Sequence, residues 1–508
     1  MTVDAPAPQR GAPERIGALP PRPGEVRRWV QRGRDAHPAA LLLGAAIVVW
    51  VAVFAYLVVR RHDRFWDTDF DMGIHDQAIW LLARGRGFLT VRGLQAFGHH
   101  ATPGYYLLAP ASWLGAGPNF LNVLQVTVLA LGSIPVYLIA RARGLGPWVS
   151  AALGTAFLLH PALQFLAWEL FHPEVLAITP LLCAYLCATR RSWRWFTLWV
   201  VLAVAWKEDV ALAVLVLGLI IAWRGDRRVG LTTAGLALVW FVAVAFIVLP
   251  AINGGVLQSE GIYSGVGGSA GGIVDTALSD PGQVTTRVFG SESGDFAWKL
   301  LMPFGLVPLL APVALLIGAP QFLLDVISDV PWTRSITFHY AALPLTAITI
   351  AMVEGVALLG RRGGRLVRFA APAVVLACAV YGTIAWGPSP VGAEYRKGWW
   401  PPSVDTRLDA KQAAIDAVPD DAAVSASYTL VPHLTHRAEI YSFPNPWRPA
   451  NWGVPGSDTR NPERIDWIVI DRQVVGDARA LLDRILSGPD FKVVFDRDDL
   501  LVARRVHG

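Results

Sequence analysis

Residues Pro38 to Val59 and Val229 to Ser259 run without a single charged side chain. About 20 apolar residues suffice to cross a bilayer as a helix, and in lipid a spanning segment must satisfy its own backbone hydrogen bonds. Charged residues make up only 16% of the 508 positions and apolar ones 54%, where about 25% charged is usual in soluble domains. Lipid therefore solvates much of the surface, and the fold class is an α-helical polytopic membrane protein. The first stretch is too long for a signal-peptide core and follows a leader, residues 1–38, that carries Arg10, Arg15, Arg22, Arg27, Arg28, Arg32 and Arg34. It reads as an uncleaved first helix behind a disordered cytoplasmic leader.

The arginine clusters set an orientation. The leader, Arg141 with Arg143, Arg190 to Arg194, Arg224 to Arg228 and Arg361 to Arg368 all lie at the ends of apolar runs, where the positive-inside rule places them in the cytoplasm. About eleven spans are consistent with this: 39–60, 119–140, 147–161, 175–189, 195–206, 210–223, 229–250, 297–309, 310–327, 337–359 and 369–387. The transmembrane domain is then 39–387, with outward loops 61–118 and 253–296 and the C-terminus outside. Segment 105–117 is apolar but short, hence re-entrant or surface-lying. The glycine-rich loop 253–296 is expected to be mobile.

From residue 388 to 508 charge becomes regular, as in a small extracytoplasmic α/β domain. Helices are expected at 409–417 and 477–487, and strands at 422–426, 439–442, 465–470, 492–495 and 500–503. Tryptophans such as Trp193, Trp195, Trp223, Trp399 and Trp400 sit near span ends, as an interfacial belt would.

Topology also accounts for the net charge of +5, so no nucleic-acid partner is expected. Cys183, Cys187 and Cys378 lie in apolar runs, which argues against disulfides or thiolate metal sites. Phosphate-loop, zinc-protease, nucleophile-elbow and dinucleotide motifs are absent. Arginine far outnumbers the five lysines, which points to a GC-rich bacterial genome and hence to a bacterial plasma membrane.

The acidic stretch after the first span, Asp67-Thr68-Asp69-Phe70-Asp71-Met72-Gly73-Ile74-His75-Asp76-Gln77-Ala78-Ile79-Trp80, holds most of the chemistry. Four carboxylates this close repel one another unless solvated or neutralised by a cation. A helix over 72–83 would put Gly73, Asp76, Gln77 and Trp80 on related faces, although Asp71 is equally suited to cap that helix. Further polar groups fall on the same outward side: His99 and His100 before Thr102-Pro103, His172-Pro173-Glu174, Lys207-Glu208-Asp209, Arg334, and His339-Tyr340. Ionisable groups at membrane depth are costly and commonly line a pathway or active site. Lys207 with Glu208 or Asp209 also suits a plain ion pair capping two short helices, and His99 and His100 suit a solvated loop. A hard divalent cation, Mg or Mn, could be held by Asp71, Asp76 and His172, with His100 and Glu174 nearby.

The pattern Phe70-Asp71-x-Gly73-x-x-Asp76-Gln77-Ala78-x-Trp80, followed by His100-x-Thr102-Pro103, His172-Pro173-Glu174, Lys207-Glu208-Asp209 and His339-Tyr340, resembles the predicted membrane proteins called domain of unknown function 2079. The likeness runs over about 40–390, and Ser425-Ala426-Ser427-Tyr428 with His433-Leu434-Thr435-His436-Arg437 resembles the C-terminal part of that family. The family is similar to the GT-C superfamily. That implies a GT-C-like enzyme moving a sugar from a polyprenyl-phosphate donor to an envelope glycan, lipid or protein acceptor outside the cytoplasm. It also implies that Asp71 or Asp76, the acidic residues of the first outward loop, is the catalytic base in an inverting displacement. Asp69 competes with Asp71 for that role. Substrate binding is expected from Asp69, Gln77, His100, His172, Glu174, Glu208, Asp209 and Tyr340, with Lys207, Arg334 and His339 on the departing phosphate. Two other classes suit the same membrane character, a secondary transporter and a noncatalytic envelope-assembly protein.

Overall fold

In the computed structural model, residues 37–255, 260–398, 400, 405–453 and 460–506 are described. The arginine-rich leader to residue 36 and Trp399 lie outside them. The first apolar stretch forms α1, Pro38–Asp63, started by a proline at N1. Leu43, Trp50, Phe54 and Val58 form its buried stripe, whereas Leu41, Leu42, Val48 and Val49 on other faces are open. A helix apolar all round but buried on one stripe is a lipid-facing helix.

A π-helical turn, Asp69–Gly73, leads into α2, Ile74–Leu82. A two-residue ribbon, β1 Phe88–Leu89 with β2 Leu94–Gln95, precedes α3, Tyr105–Trp113, which at nine residues is too short to span. The bundle continues with α4 Pro118–Leu131, α5 Ser133–Ala142, α6 Pro147–Leu158, α7 Pro161–Trp168, α8 Ile178–Thr189, α9 Trp193–Val204, α10 Val210–Trp223 and α11 Arg227–Ala243. α6 and α7 meet at 50°, where Pro161 cannot continue the helix and His160 caps Ala162 instead.

Segment 253–296, expected as a mobile loop, is largely helical within its described part: α12 Ala270–Ser279, α13 Pro281–Val288 and the start of α14 Ser291–Leu301. Ser269 and Asp280 accept from backbone amides at the starts of the first two. The expected spans 297–309 and 310–327 are not single helices. α14 ends at Leu301, short turns follow, and helix resumes in α15, Ala319–Ile327. Pro303, Pro308 and Pro312 remove amide donors there, and Gly305 and Leu306 take left-handed backbone. The closing helices are α16 Ala342–Arg362 and α17 Arg365–Trp386.

Among the described residues five helices are long and apolar enough to cross a membrane, or six with the bent α6–α7 pair; 173–189, 193–204 and 210–223 are shorter. Burial separates their positions. The α16 span has 83% of its apolar window inside the protein and the α11 span 22%, so α16 is the central element and α11 lies at the periphery.

The tail holds α18 Leu408–Asp416, β3 Val424–Ala426, β4 Ile440–Ser442, β5 Trp467–Asp471, α19 Arg479–Ser487, β6 Phe491–Arg497 and β7 Leu500–Arg505, close to the sequence expectation. The sheet order is β4-β3-β5-β7-β6, with β3 parallel to β4 and β5 and the last two pairs antiparallel. Side chains alternate between faces: Ile468, Ile470, Leu501 and Ala503 pack with Leu482 of α19. Val469, Leu500 and Val502 join the core that also contains Val431, Met72 and Leu89. The tail thus shares its core with the acidic loop.

Candidate active site

The acidic loop is anchored at its start by Asp67. Its carboxylate accepts from Arg61 Nε at 2.6 Å, lies 3.0 Å from His62 Nδ1, and is also reached by Asn122. Burial pushes this carboxyl up, but Arg61 and His62 outweigh it and hold it well below the usual range. The π turn then projects Asp71 toward the bundle, where His172 Nε2 lies 3.3 Å from its carboxylate.

From His172 a continuous polar network runs inward. The His172 and His339 rings stack 3.8 Å apart. His339 is hydrogen-bonded to Glu169 at 3.1 Å and lies 3.6 Å from Glu174, which accepts from Lys207 Nζ at 2.9 Å. Lys207 also meets Asp209 at 3.3 Å and sits 6.0 Å from the ring centre of Tyr340. Beside this, Glu208 takes His100 at 2.9 Å and the Ala101 amide at 3.1 Å. Gly104 makes that approach possible: its amide donates to Ala205, and a Cβ there would collide with Trp206. The turn that ends α9 and the Thr102-Pro103 loop therefore lock together.

Asp71, His172, Glu174, Lys207, Asp209, His339 and Tyr340 are thus assembled in one place, with His100 and Glu208 adjoining. Four expected residues have their principal contacts elsewhere. Asp76 is buried against the tail, accepting from the Thr435 hydroxyl at 2.5 Å with His436 Nε2 at 3.1 Å. Gln77 bridges Thr90 and the Val91 amide. Arg334 is held by Glu292 and the Ser328 carbonyl near α14. Asp69 faces a small cavity of about 240 Å³ lined also by Phe70, Arg92, Tyr428 and Ser442.

Two members escaped the sequence reading. Glu169 touches both stacked imidazoles, and its signal was available, since it is the first charge after the uncharged run 144–168. His75 is hydrogen-bonded to Tyr105 at 2.5 Å and lies edge-on to His172. Burial pushes its pKa down to about 3, so this ring is neutral.

Five carboxyl groups, Asp71, Glu169, Glu174, Glu208 and Asp209, face a single ammonium, Lys207, and four imidazoles, His75, His100, His172 and His339. Burial lifts the Glu169 carboxyl to about 8. Burial also works against the charged ring of His172, but Glu169 and Asp71 outweigh it and hold that ring up at about 10. For Asp71 burial raises the pKa and His172 more than reverses it, so the carboxylate is ionised at neutral pH. Among the five carboxyl groups exposure singles it out further: the Asp71 side chain is 29% exposed, against 17% for Asp209, 13% for Glu208, 10% for Glu169 and 8% for Glu174. One accessible carboxylate is backed by a buried network of carboxyl groups, imidazoles and Lys207.

A multi-pass helical bundle with its polar network at one end and a small sheet docked over the first loop is a GT-C-like membrane fold. The crystal structure of ArnT from Cupriavidus metallidurans bound to undecaprenyl phosphate is similar over 92% of this chain and 98% of that one, with a TM-score of 0.51 and 15% identity. The apo form of ArnT covers 90% and 98%, with a TM-score of 0.48 and the same identity. The chain belongs to the family described as "Predicted membrane protein (DUF2079)", which it matches over residues 61–502. No curated protein matches it in sequence.

Proposed function

We propose that this protein is a membrane glycosyltransferase that moves a sugar from a polyprenyl-phosphate donor to an envelope acceptor on the extracytoplasmic side. The observation that carries the reading is the accessible, ionised Asp71 carboxylate at the rim of the buried histidine, glutamate and lysine network. Its GT-C-like surroundings add to this, since the similar ArnT structure was obtained with undecaprenyl phosphate bound.

In this reading Asp71 takes the proton of the acceptor hydroxyl as that oxygen attacks the anomeric carbon. The bond to the lipid phosphate oxygen breaks on the opposite face, and the phosphate leaves with the electron pair. The protonated His172 keeps Asp71 ionised before the transfer, and Lys207 supplies positive charge toward the departing phosphate. A divalent cation would take the place of the His172 proton: with that ring neutral, Glu169, His172 and His339 offer ligand atoms all within 4.8 Å of one another, and Glu169 Oε2 is buried without a hydrogen-bond partner. Two imidazoles and one carboxylate suit Mn or Zn better than Mg, which prefers an all-oxygen shell. When bound, such an ion would neutralise phosphate charge.

The deciding experiment is transfer from a panel of polyprenyl-phosphate hexoses and pentoses in proteoliposomes containing the full chain. Asp71→Asn should insert with an unchanged melting temperature and lose about 10²- to 10⁴-fold in rate, the usual contribution of a general base. Equal transfer by the variant removes Asp71 from the mechanism. Solute flux in vesicles without lipid donor would favour a transporter instead.

A further inference from the structure

α8, α10 and α16 each begin beside the candidate site, near Glu174, Asp209 and His339, and run away from it. At a rise of 1.5 Å per residue, the 14 residues of α10 carry its C-terminus about 20 Å from Asp209. At that far end a separate cavity of about 150 Å³ is lined by Arg143, Tyr185, Thr189, Trp193, Arg224 and Asp226.

The cavity is built. Arg143 is half-buried and donates to Glu354 at 2.6 Å, to the Tyr185 hydroxyl at 3.3 Å and to Thr189 at 3.4 Å. The Tyr185 hydroxyl donates in turn to Glu354 at 2.5 Å and accepts from Arg224 at 3.3 Å. Arg191, 73% exposed, reaches across the mouth to Asp226 at 3.5 Å. Glu354 lies well inside the α16 span, a costly position for a carboxylate in a passive helix, and Arg143 is its partner.

The charges do not balance. Arg143, Arg191 and Arg224 face only Glu354 and Asp226, a surplus of one positive charge (3 − 2), and the exposed Arg190, Arg194, Arg227 and Arg228 follow or precede the lining residues closely in the chain. The positive-inside rule explains basic loops. It does not demand guanidinium and hydroxyl donors gathered round a cavity at a helix junction, with tryptophans at the lipid boundary on either side.

We infer that this cavity is a binding site for the phosphate group of an anionic membrane lipid, gripped by Arg191 and Arg224 with Thr189 as the hydroxyl donor. Guanidinium forks match phosphate oxygens in pairs, and basic pockets between helices are a recurrent way of holding acidic headgroups. The site is distinct from the Asp71 network and independent of the proposed transfer reaction. Its effect is on the junction of α8, α9 and α10, which a bound headgroup would tie together.

The test is thermal unfolding of the full-length protein, stripped of lipid in a neutral detergent and then supplied with phosphatidylglycerol, phosphatidylcholine or millimolar inorganic phosphate. Phosphatidylglycerol should raise the melting temperature by several degrees, with the other two giving no comparable shift. The double variant Arg191→Gln with Arg224→Gln should lose that shift, while Arg361→Gln, outside the cavity, retains it. If the double variant does not fold, Arg191→Gln alone, exposed and free of core contacts, should weaken lipid retention in native mass spectrometry. Equal stabilisation by phosphatidylcholine, or a shift undiminished in the arginine variants, overturns the site. A full shift from inorganic phosphate alone overturns the assignment to a lipid.

Discussion

Asp71 and Asp76 are chemically identical and one helical turn or so apart, yet they face different partners. Asp71 meets His172 at the rim of the polar network, whereas Asp76 is sealed against Thr435 and His436. The difference arises because the π turn inserts an extra residue per turn and re-aims the side chains that follow it. Sequence reasoning could place both carboxylates in one loop; it could not anticipate that turn, nor that a tail residue 359 positions away would claim one of them. The same scale carries the cation prediction. Mn²⁺ titrated into the full-length protein should bind, and His172→Ala or His339→Ala should weaken that binding by about tenfold or more, measured calorimetrically. Unchanged binding in both variants would remove the cation from the proposal. His433 offers a pH prediction. It stacks on His62 and Phe65, and burial, helped by His62, pushes its pKa from 6.5 down to about 3. The folded ring stays neutral where the unfolded one takes a proton, so the stability it contributes is full above about pH 6.5 and is lost as pH falls toward 3. His433→Phe keeps the stacking and should shrink the drop in melting temperature between about pH 7.5 and 5.

Among the elements, α10 and α11 show how a weakly buried helix is held. Gly218 and Ala222 on one meet Gly230 and Ala234 on the other, backbone against backbone; a Cβ on Gly218 would stand 2.7 Å from the Ala234 amide nitrogen. Small residues four apart allow such close approach in a bilayer, where dispersion between backbones replaces the hydrophobic effect as the attraction. Gly230→Val should force the pair apart and destabilise by about 1–3 kcal/mol, the usual cost of overpacking. Thermal unfolding in detergent checks it, and a stable variant would show that the periphery can yield. The elements α1, α11 and nearly every strand of the tail were legible in the sequence. The region 297–327 was not, because apolar content alone cannot distinguish a continuous span from turns broken by Pro303, Pro308 and Pro312.

Taken as a whole molecule, the tail completes the membrane domain. β3, β5 and β7 turn one face toward the acidic loop, and Thr90 bonds both the carbonyl and the amide of Ile440. Asp76→Ala should therefore act through docking: faster proteolysis of the tail, with lost transfer following from a displaced loop. Transfer lost at unchanged protease resistance would instead give Asp76 a direct chemical part. The amino-acid sequence by itself determined the membrane class, the position of the acidic loop and most of the residues of the polar network, because lipid admits few backbone solutions and tolerates few charges. Which of those charges meet was decided only in three dimensions. Glu169 joined the network, Arg334 left it and Asp76 turned to the tail through contacts between residues far apart in the chain, and helix breaks, a π turn and a shared core set those distances.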